Sequence, residues 1–249
     1  MSKAKILIVD IETFPNLSYT WGKYEQNVIR FKQESCIATY AAKWLGKPVF
    51  AKGLNSYENY VPGTYDDMEL VTDLHALFDK ADIIVAHNGI DFDIKVCQSR
   101  FIFHGLKPPA PFKVVDTKRV AKRVGRFNSN KLDDLGELLD LGRKIKTDFD
   151  LWQGCINGDK KAWAKMLKYN KKDVVLLEKL YLRLLPWMST HPNRGLLENA
   201  TCPKCGRNDA HSRGEYLTTT RRYQRFQWQS CGGWFRTNKS TGKVVTSNA

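Results

Sequence analysis

The hydrophobic and polar positions predict strands at the start of the chain, followed by alternating helices and strands. Residues 5–11 form an apolar run that ends in acidic residues, which is typical of a buried strand. β-rich stretches over 17–24, 36–44 and 49–55 then predict an antiparallel meander. Apolar spacing predicts helices over 66–80, 91–104, 132–141 and 159–186, and short strands over 82–86 and 114–116. This order indicates an α/β fold, with a mixed sheet flanked by helices.

Composition excludes two broad classes of protein. The 249 residues are 42% hydrophobic and 27% charged, a balance that excludes a wholly disordered chain. No apolar run approaches the roughly 20 residues that a membrane helix needs, and the basic start is followed by only a short apolar strand pattern. We therefore expect no membrane association and a cytoplasmic location.

Positive charge is concentrated at the end of the chain. Overall, 40 Lys and Arg stand against 26 Asp and Glu, a net charge of +14. Residues 200–249 hold nine of those cations and two of the acids, so this fifth of the chain carries half of the excess. Such a surplus favours a polyanion as partner, although a purely solubilising charge is the alternative. We expect a catalytic domain over 1–188, a linker over 189–199 and a basic module over 200–249.

Three groups of acidic residues suggest a metal site. Asp10 and Glu12 lie two apart in a strand, so they share one face of the sheet, and such an oxygen-rich pair suits Mg²⁺ or Mn²⁺. A solvated strand end is the alternative. Asp91 and Asp93 follow the second apolar strand where a helix opens, a position at which aspartate also serves as a helix cap.

The third group lies inside the long predicted helix. Tyr169 and Asp173 are four residues apart, so their side chains project from one helical face. Aspartate is a poor interior helix former and needs a reason to be there. The alternative is an exposed Asp173 paired with Lys172 or another neighbouring lysine.

Together the motifs D-I-E at 10–12, N-x-x-x-F-D at 88–93 and Y-x-x-x-D at 169–173 resemble the DEDD-family 3′→5′ exonucleases. The match is to the tyrosine-bearing branch, and it is closest to the exonuclease domain of family B DNA polymerases. The resemblance covers roughly residues 4–187. It implies a ribonuclease H-like fold with a five-stranded mixed sheet, and hydrolysis of phosphodiester bonds by two Mg²⁺ or Mn²⁺ ions.

The resemblance also implies a role for each motif residue. Asp10 would bridge the two ions, Glu12 and Asp173 would complete the shell of the first, and Asp93 would hold the second. Tyr169 would orient the attacking water, because a phenol with an ordinary pKa of about 10 is a poor general base at neutral pH.

The resemblance also implies roles outside the metal shell, either in contact with substrate or in support of the metal ligands. Asn88 and Phe92 match the family's substrate-side positions, and we expect Phe92 to pack rather than to stack. Asp116 resembles a supporting acid outside the metal shell. For His87 and His104, which have no partner at metal-ligand spacing, we expect satisfied or exposed histidines.

The basic module resembles a zinc ribbon. Cys202, Cys205 and Cys231 have knuckle spacing, but Trp228 stands where the fourth cysteine belongs. His211 or water could complete a zinc site, or the metal could be absent. Aromatic residues alternate with arginines in this module, a mixture that stacks on bases and follows phosphates. The alternative is that these aromatic residues form the small core of the module, which we expect for half of them. The arginines singled out for substrate binding are Arg221, Arg222 and Arg225.

These observations favour a metal-dependent 3′→5′ exonuclease that acts on nucleic acid, with DNA favoured over RNA. The alternatives are a catalytically weak nucleic-acid-binding accessory protein of the same fold, and a structure-specific or RNA-directed nuclease. Ribonucleases H and junction resolvases lack Y-x-x-x-D, so Tyr169 argues against them. Any proofreading would need a separate polymerase or other replication or repair protein as partner.

Overall fold

A computed structural model describes residues 4–24, 27–192, 201–218 and 220–243. The chain divides into two compact units, a larger one over Lys5–Tyr181 and a smaller one that takes in the described residues from Leu182 onward. Within the described ranges, no helix is long and apolar enough to cross a membrane. Most of the linker expected at 189–199 lies outside the described residues, which end at 192 and resume at 201.

The secondary structure alternates largely as the hydrophobic pattern indicates. The strands of the larger unit are β1 (Ile6–Thr13), β2 (Leu17–Tyr19), β3 (Arg30–Gln33), β4 (Ile37–Trp44), β5 (Phe50–Gly53), β6 (Ile83–Ala86) and β7 (Lys113–Asp116). The helices are α1 (Met68–Asp79), α2 (Asp93–Phe103), α3 (Thr117–Val124), α4 (Leu132–Leu138), α5 (Phe149–Ile156) and α6 (Lys160–Leu184). Short 3₁₀ turns lie at Leu54–Ser56 and Leu185–Trp187.

Five strands form the expected mixed sheet, in the order β5-β4-β1-β6-β7. β1 pairs antiparallel with β4 and parallel with β6, while β5 and β7 extend the two sides. Ile8 of β1 lies opposite Val85 of β6, which ends one residue later. β1 therefore continues past the carboxyl end of β6, and Asp10 and Glu12 lie on this extension.

The core explains why the central strand is apolar on both faces. The first four residues of β1, Ile6 to Val9, are at most 2% exposed, because helices cover the sheet. α1 and α2 pack against β4 and against each other. The buried face of α1 carries Leu70, Leu74 and Phe78 at helical spacing.

The predicted meander is wrong in one respect. Residues 17–24 do not add a strand to the main sheet, because β2 pairs with β3 in a separate two-stranded hairpin and β4 pairs directly with β1. The pattern analysis also missed α3 and α5. α3 has few apolar residues, and its start is fixed by the Asp116 carboxylate, which accepts hydrogen bonds from the backbone N–H groups of Lys118 and Arg119.

The smaller unit contains a three-stranded antiparallel sheet. Its strands are β8 (Ala210–Leu217), β9 (Arg221–Trp228) and β10 (Trp234–Lys243), in the order β10-β9-β8. The sheet agrees with the expectation of a small C-terminal β module.

Candidate active site

The extension of β1 brings two acidic residues to α6. Ligand oxygens of Asp10, Glu12 and Asp173 all lie within 4.8 Å of one another. Asn170 of α6 donates a hydrogen bond from Nδ2 to Asp10 Oδ2 at 2.7 Å, and its Oδ1 accepts one from Thr39 Oγ1 at 3.1 Å. Asn170 thus fixes the orientation of Asp10, a role that no sequence motif indicated.

Asp93 lies at the start of α2 and is 4% exposed. Its Oδ1 accepts a hydrogen bond from the backbone N–H of Ile11 at 3.2 Å, which ties α2 to β1 between Asp10 and Glu12. Neither Asp93 nor Asp91 caps the helix through its side chain; Phe92 is the N-cap residue, and Asp91 pairs with Arg119 at 2.8 Å. Asp93 therefore adjoins the acidic cluster and its charge acts on Asp10, but its oxygens are not among the three that meet within 4.8 Å; Asp91 has its own partner in Arg119.

The helical face carrying Tyr169 and Asp173 is buried. Tyr169 is 7% exposed and Asp173 is fully buried, so the alternative of an exposed Asp173 paired with Lys172 is wrong. The ring of Trp152 lies 6.3 Å from that of Tyr169, and its indole N–H donates to the carbonyl oxygen of Thr13 at 3.1 Å. Trp152 thereby packs the tyrosine against the end of β1.

Lys144 is a residue of this site that sequence reasoning missed. Its Nζ lies 2.6 Å from Asp173 Oδ2 and 5.1 Å from the centre of the Tyr169 ring. It belongs to the segment between α4 and α5, which has no regular secondary structure. The sequence offers no signal for it, because Lys144 stands among several other Lys and Arg residues.

Burial and mutual repulsion weaken the acidity of the cluster. Burial, followed by the charges of Asp93, Glu12 and Asp173, raises the pKa of Asp10 well above its usual range. Burial raises the pKa of Glu12 to about 7, and that of Asp93 to about 6. Burial also raises the pKa of Asp173, while the ammonium of Lys144 opposes this shift. Without a cation, these acids therefore keep their protons to a higher pH than free carboxylic acids do.

The cluster has the donor chemistry of a divalent metal site. Its ligand atoms are carboxylate oxygens, the type that Mg²⁺ and Mn²⁺ prefer. Asp173 Oδ1 is buried with no hydrogen-bond partner among the described residues. An orphaned buried oxygen is expensive unless a cation or donor satisfies it. A bound cation would satisfy this atom and relieve the repulsion among the acids, so the residues present fit such an ion.

Asp116 shapes the loop beside the cluster. It accepts hydrogen bonds from the backbone N–H groups of Asn88 at 3.1 Å and Ile90 at 3.2 Å. Asn88 adopts a positive φ of 69°, and its Oδ1 accepts a bond from Lys118 Nζ at 3.2 Å. A Cβ on the next residue, Gly89, would lie 2.3 Å from the Cβ of Ala86, so only glycine fits.

The structure tests what the sequence predicts for the surroundings of Phe92 and of the two histidines. Phe92, the N-cap residue of α2, is 43% exposed, so the expectation that it packs is wrong. His87 is held by Thr117 Oγ1 at 2.8 Å and by the carbonyl oxygen of Asn130 at 2.9 Å. His104 lies 2.6 Å from the buried carboxylate of Asp67, so each histidine has polar partners.

Comparison with known proteins identifies the larger unit. The family model of the RNase_H superfamily matches residues 45–185, more than half of the chain. The chain belongs to the RNase_H superfamily. The matched range of this superfamily member contains Asp93, Tyr169 and Asp173, whereas Asp10 and Glu12 precede it. No curated protein matches the chain by sequence.

A solved structure is also similar to this RNase_H-superfamily chain. The family B DNA polymerase from the hyperthermophilic archaeon Pyrobaculum calidifontis aligns with a TM-score of 0.53 and 16% sequence identity. The alignment covers 75% of this chain and 25% of the polymerase, so the chain spans about a quarter of that protein's length. At this identity the likeness concerns the fold.

The smaller unit of the RNase_H-superfamily chain has a cluster of three cysteines. The sulfur atoms of Cys202, Cys205 and Cys231 lie within 4.8 Å of one another, and those of Cys202 and Cys231 are 3.7 Å apart. Two thiolates on a tetrahedral zinc ion, with Zn–S bonds of about 2.3 Å, would be about 3.8 Å apart. Among the described residues, His211 is not part of this cluster; it is an exposed residue of β8.

Two equivalent turns explain the position of Trp228. The N–H of Gly206 donates to the carbonyl oxygen of Cys202 at 2.9 Å, and that of Gly232 donates to Trp228 in the same way at 2.8 Å. Both glycines have a positive φ, 75° and 68°. Trp228 therefore stands where the second turn would have its first cysteine. It is 2% exposed and stacks on Phe235 at 4.7 Å, so this position serves the core of the small sheet.

The arginines expected to bind substrate lie on β9. Arg221 and Arg222 are exposed, and Arg222 has a weak ion pair with Glu215 at 3.5 Å. Arg225 is half-buried, with its guanidinium 5.1 Å from the centre of the Trp234 ring. Trp234 itself is 49% exposed. The module thus presents arginine and aromatic surface together.

Proposed function

We propose that this chain is a metal-dependent 3′→5′ exonuclease that hydrolyses phosphodiester bonds of nucleic acid, with DNA favoured as substrate. The observation that carries the proposal is the meeting of Asp10, Glu12 and Asp173 oxygens within 4.8 Å, on a fold of the RNase_H superfamily. Asp93 adjoins them through β1. The 3′→5′ polarity rests on the resemblance of the three motifs to the DEDD family.

The four acids would hold two Mg²⁺ or Mn²⁺ ions. Such ions lower the pKa of a water molecule and stabilise charge on the departing 3′ oxygen. Asn170 keeps Asp10 oriented for this role, and Lys144 reduces the repulsion that Asp173 would otherwise add. These contacts give the carboxylates a fixed arrangement before substrate arrives.

Tyr169 would position the attacking water rather than remove its proton. Burial, with the nearby charges of Glu12 and Asp173, raises the pKa of the Tyr169 phenol above its ordinary value. A phenol that is harder to ionise than usual keeps its proton at neutral pH, so its hydroxyl can donate to a water oxygen but cannot serve as a base.

Asp93 and Asp91 provide a matched test of the proposal. Asp93→Asn should reduce degradation of single-stranded oligonucleotides by at least about 100-fold in Mg²⁺ or Mn²⁺, because it would remove a ligand charge. Asp91→Asn should retain activity, since Asp91 faces Arg119 and not the cluster. Parallel assays with 5′-labelled and 3′-labelled strands report polarity. Equal activity of the two folded variants, or stepwise release from the 5′ end, would overturn the assignment.

We also propose that the three cysteines hold one Zn²⁺ and that the module grips nucleic acid. Backbone N–H groups of Lys204 and Cys205 both donate to Cys202 Sγ at 3.4 Å, which orients this sulfur within the cysteine cluster. Exposed Arg221 and Arg222 and half-buried Arg225 would contact phosphates. With Trp228 in the core and His211 elsewhere, the three thiolates would share the ion with a water molecule or another external ligand.

Metal analysis tests the zinc proposal. Purified protein should contain about one zinc per chain, and Cys205→Ser should lower this content while Cys155→Ser, at a buried cysteine of the larger unit, should not. Zinc that remains in Cys205→Ser, or an absence of zinc from freshly reduced wild type refolded with Zn²⁺, would refute the site.

A further inference from the structure

The β2–β3 hairpin carries an unusual set of exposed aromatic side chains. Four aromatic residues lie on it, and none is buried: Tyr19 is 55% exposed, Trp21 85%, Tyr24 88% and Phe31 44%. Burial of an aromatic side chain stabilises a protein more than burial of most other side chains, so aromatic rings are usually covered. Exposed apolar patches mark interaction sites. The hairpin therefore presents a surface that the larger unit itself does not use.

The hairpin arises directly from the strand that carries the candidate metal ligands. Only three residues separate the end of β1 at Thr13 from the start of β2 at Leu17. Its base is fixed: Ser35 Oγ donates to the carbonyl oxygen of Phe14 at 2.7 Å, and Ser35 N–H donates to Asn16 Oδ1 at 2.6 Å. On the returning strand, Gln33 Nε2 donates to the carbonyl oxygen of Gly63 at 3.0 Å. The base of the hairpin is therefore held at Phe14 and Asn16, two and four residues after Glu12 in the chain.

Charge decides which kind of partner fits this surface. Residues 17–33 contain Lys23, Arg30 and Lys32 against a single acid, Glu25. The ammonium of Lys23 lies 5.7 Å from the centre of the Tyr24 ring, so cation and aromatic face form one surface. A single nucleic-acid strand exposes both flat bases and phosphates, and aromatic faces with interspersed cations match both. A duplex hides its base faces, so it would leave the aromatic rings without partners.

We infer that the β2–β3 hairpin binds single-stranded nucleic acid and guides it to the acidic cluster. Bases stack on Trp21 and Tyr24, while Lys23, Arg30 and Lys32 contact phosphates. The inference rests on the proposed nuclease function for the destination of the strand, and it adds to that function a binding site on the hairpin. It assigns binding to a part of the chain outside the three acidic motifs.

A binding titration tests the inference. The probe is a fluorescein-labelled 15-nucleotide oligo(dT), titrated with full-length protein in chelator, which suspends metal-dependent hydrolysis. Trp21→Ala should weaken binding by roughly 5- to 150-fold, the usual effect of one lost stacked base. Trp21→Phe should retain most of the affinity, whereas Trp21→Leu should behave like alanine. Trp187→Ala is the matched control, because Trp187 is 70% exposed but lies outside the hairpin.

A second assay separates failure of the inference from failure of the nuclease proposal. Hydrolysis of the p-nitrophenyl ester of thymidine 5′-monophosphate, which has a single base, depends on the acidic cluster alone. Trp21→Ala should leave this hydrolysis within twofold of wild type while it slows degradation of oligo(dT). If wild type cleaves neither substrate but Trp21→Ala still loses oligo(dT) binding, the nuclease proposal fails and the hairpin site stands.

Two results would overturn the hairpin site. One is unchanged oligo(dT) affinity in Trp21→Ala and in Tyr24→Ala. The other is a dimer of the wild type that Trp21→Ala converts to a monomer at equal concentration, measured by light scattering, with no change in oligo(dT) affinity per chain. The second result would mean that the aromatic surface is covered by another copy of this chain.

Discussion

Glu12 provides a quantitative test of the acidic cluster that requires no activity. Burial raises its pKa from 4.5 to about 7, so the ionised form is less favourable in the folded chain than in the unfolded one. A shift of this size corresponds to about 3 kcal/mol. Because the folded pKa is the higher one, this destabilisation is absent below about pH 4.5, grows as pH rises, and is complete above about pH 7.

Glu12→Gln should therefore stabilise the metal-free protein at alkaline pH. Glutamine keeps a hydrogen-bond acceptor and nearly the same volume but has no charge to bury. In chelator at pH 8 we expect a gain of up to about 3 kcal/mol, or roughly 6–12 °C in melting temperature for a domain of this size. The gain should shrink steadily as the pH falls toward 4.5. Glu58→Gln, at an exposed glutamate of the same unit, is the control and should change little.

Metal ions should offset this difference. Mg²⁺ or Mn²⁺ bound to the folded state stabilises it by mass action, and wild type should gain more than Glu12→Gln, which has lost a ligand charge. Thermal melts of both proteins at pH 8, with chelator and with 10 mM of either ion, measure the effect. The reasoning is refuted if Glu12→Gln is the less stable protein in chelator at pH 8, or if the ions stabilise both proteins equally.

Other changes test the supporting residues. Lys144→Met should destabilise the fold by about 1–3 kcal/mol in urea titrations, because it leaves the buried Asp173 charge without its partner. The partial exposure of Lys144 reduces the size of this effect. Equal stability of the two proteins would show that the ion pair is dispensable. Tyr169→Phe should lower the single-turnover rate of oligonucleotide cleavage while binding affinity stays within about twofold; parallel loss of binding would contradict a water-positioning role. Gly89→Ala should destabilise by about 2 kcal/mol or more, because its Cβ would overlap that of Ala86, and an unchanged urea midpoint would refute this close approach.

The local pattern of the sequence was sufficient for the main elements. The apolar run at 5–11 predicts β1, and helical spacing predicts α6 to within two residues at either end. Strand alternation places Asp10 and Glu12 on one face, and helical spacing does the same for Tyr169 and Asp173. These predictions succeed because they depend on backbone periods, which are set by residues close together in the chain.

The local sequence pattern could not predict contacts between segments that are far apart in the chain. Asn170 bonds to Asp10 across 160 positions, and Lys144 reaches Asp173 from a loop with no pattern of its own. Their side chains are ordinary for a helix surface and a basic loop, so nothing local distinguishes them from solvated residues. The sheet that β2 joins is outside the local pattern for the same reason: whether a β-rich stretch enters the main sheet depends on which strand already occupies the edge of β1.

The cysteine module shows the same division. Spacing alone predicts Cys202, Cys205 and Cys231 as metal ligands, and it shows that Trp228 replaces the fourth cysteine of a zinc ribbon. Only the folded sheet shows that the indole of Trp228 stacks in the core and that His211 lies outside the cysteine cluster. The sequence by itself determined which residues could carry the chemistry. Tertiary structure decided which of them meet and how strongly their charges interact, because distance and burial, and hence the electrostatic energy, arise only when the segments pack together.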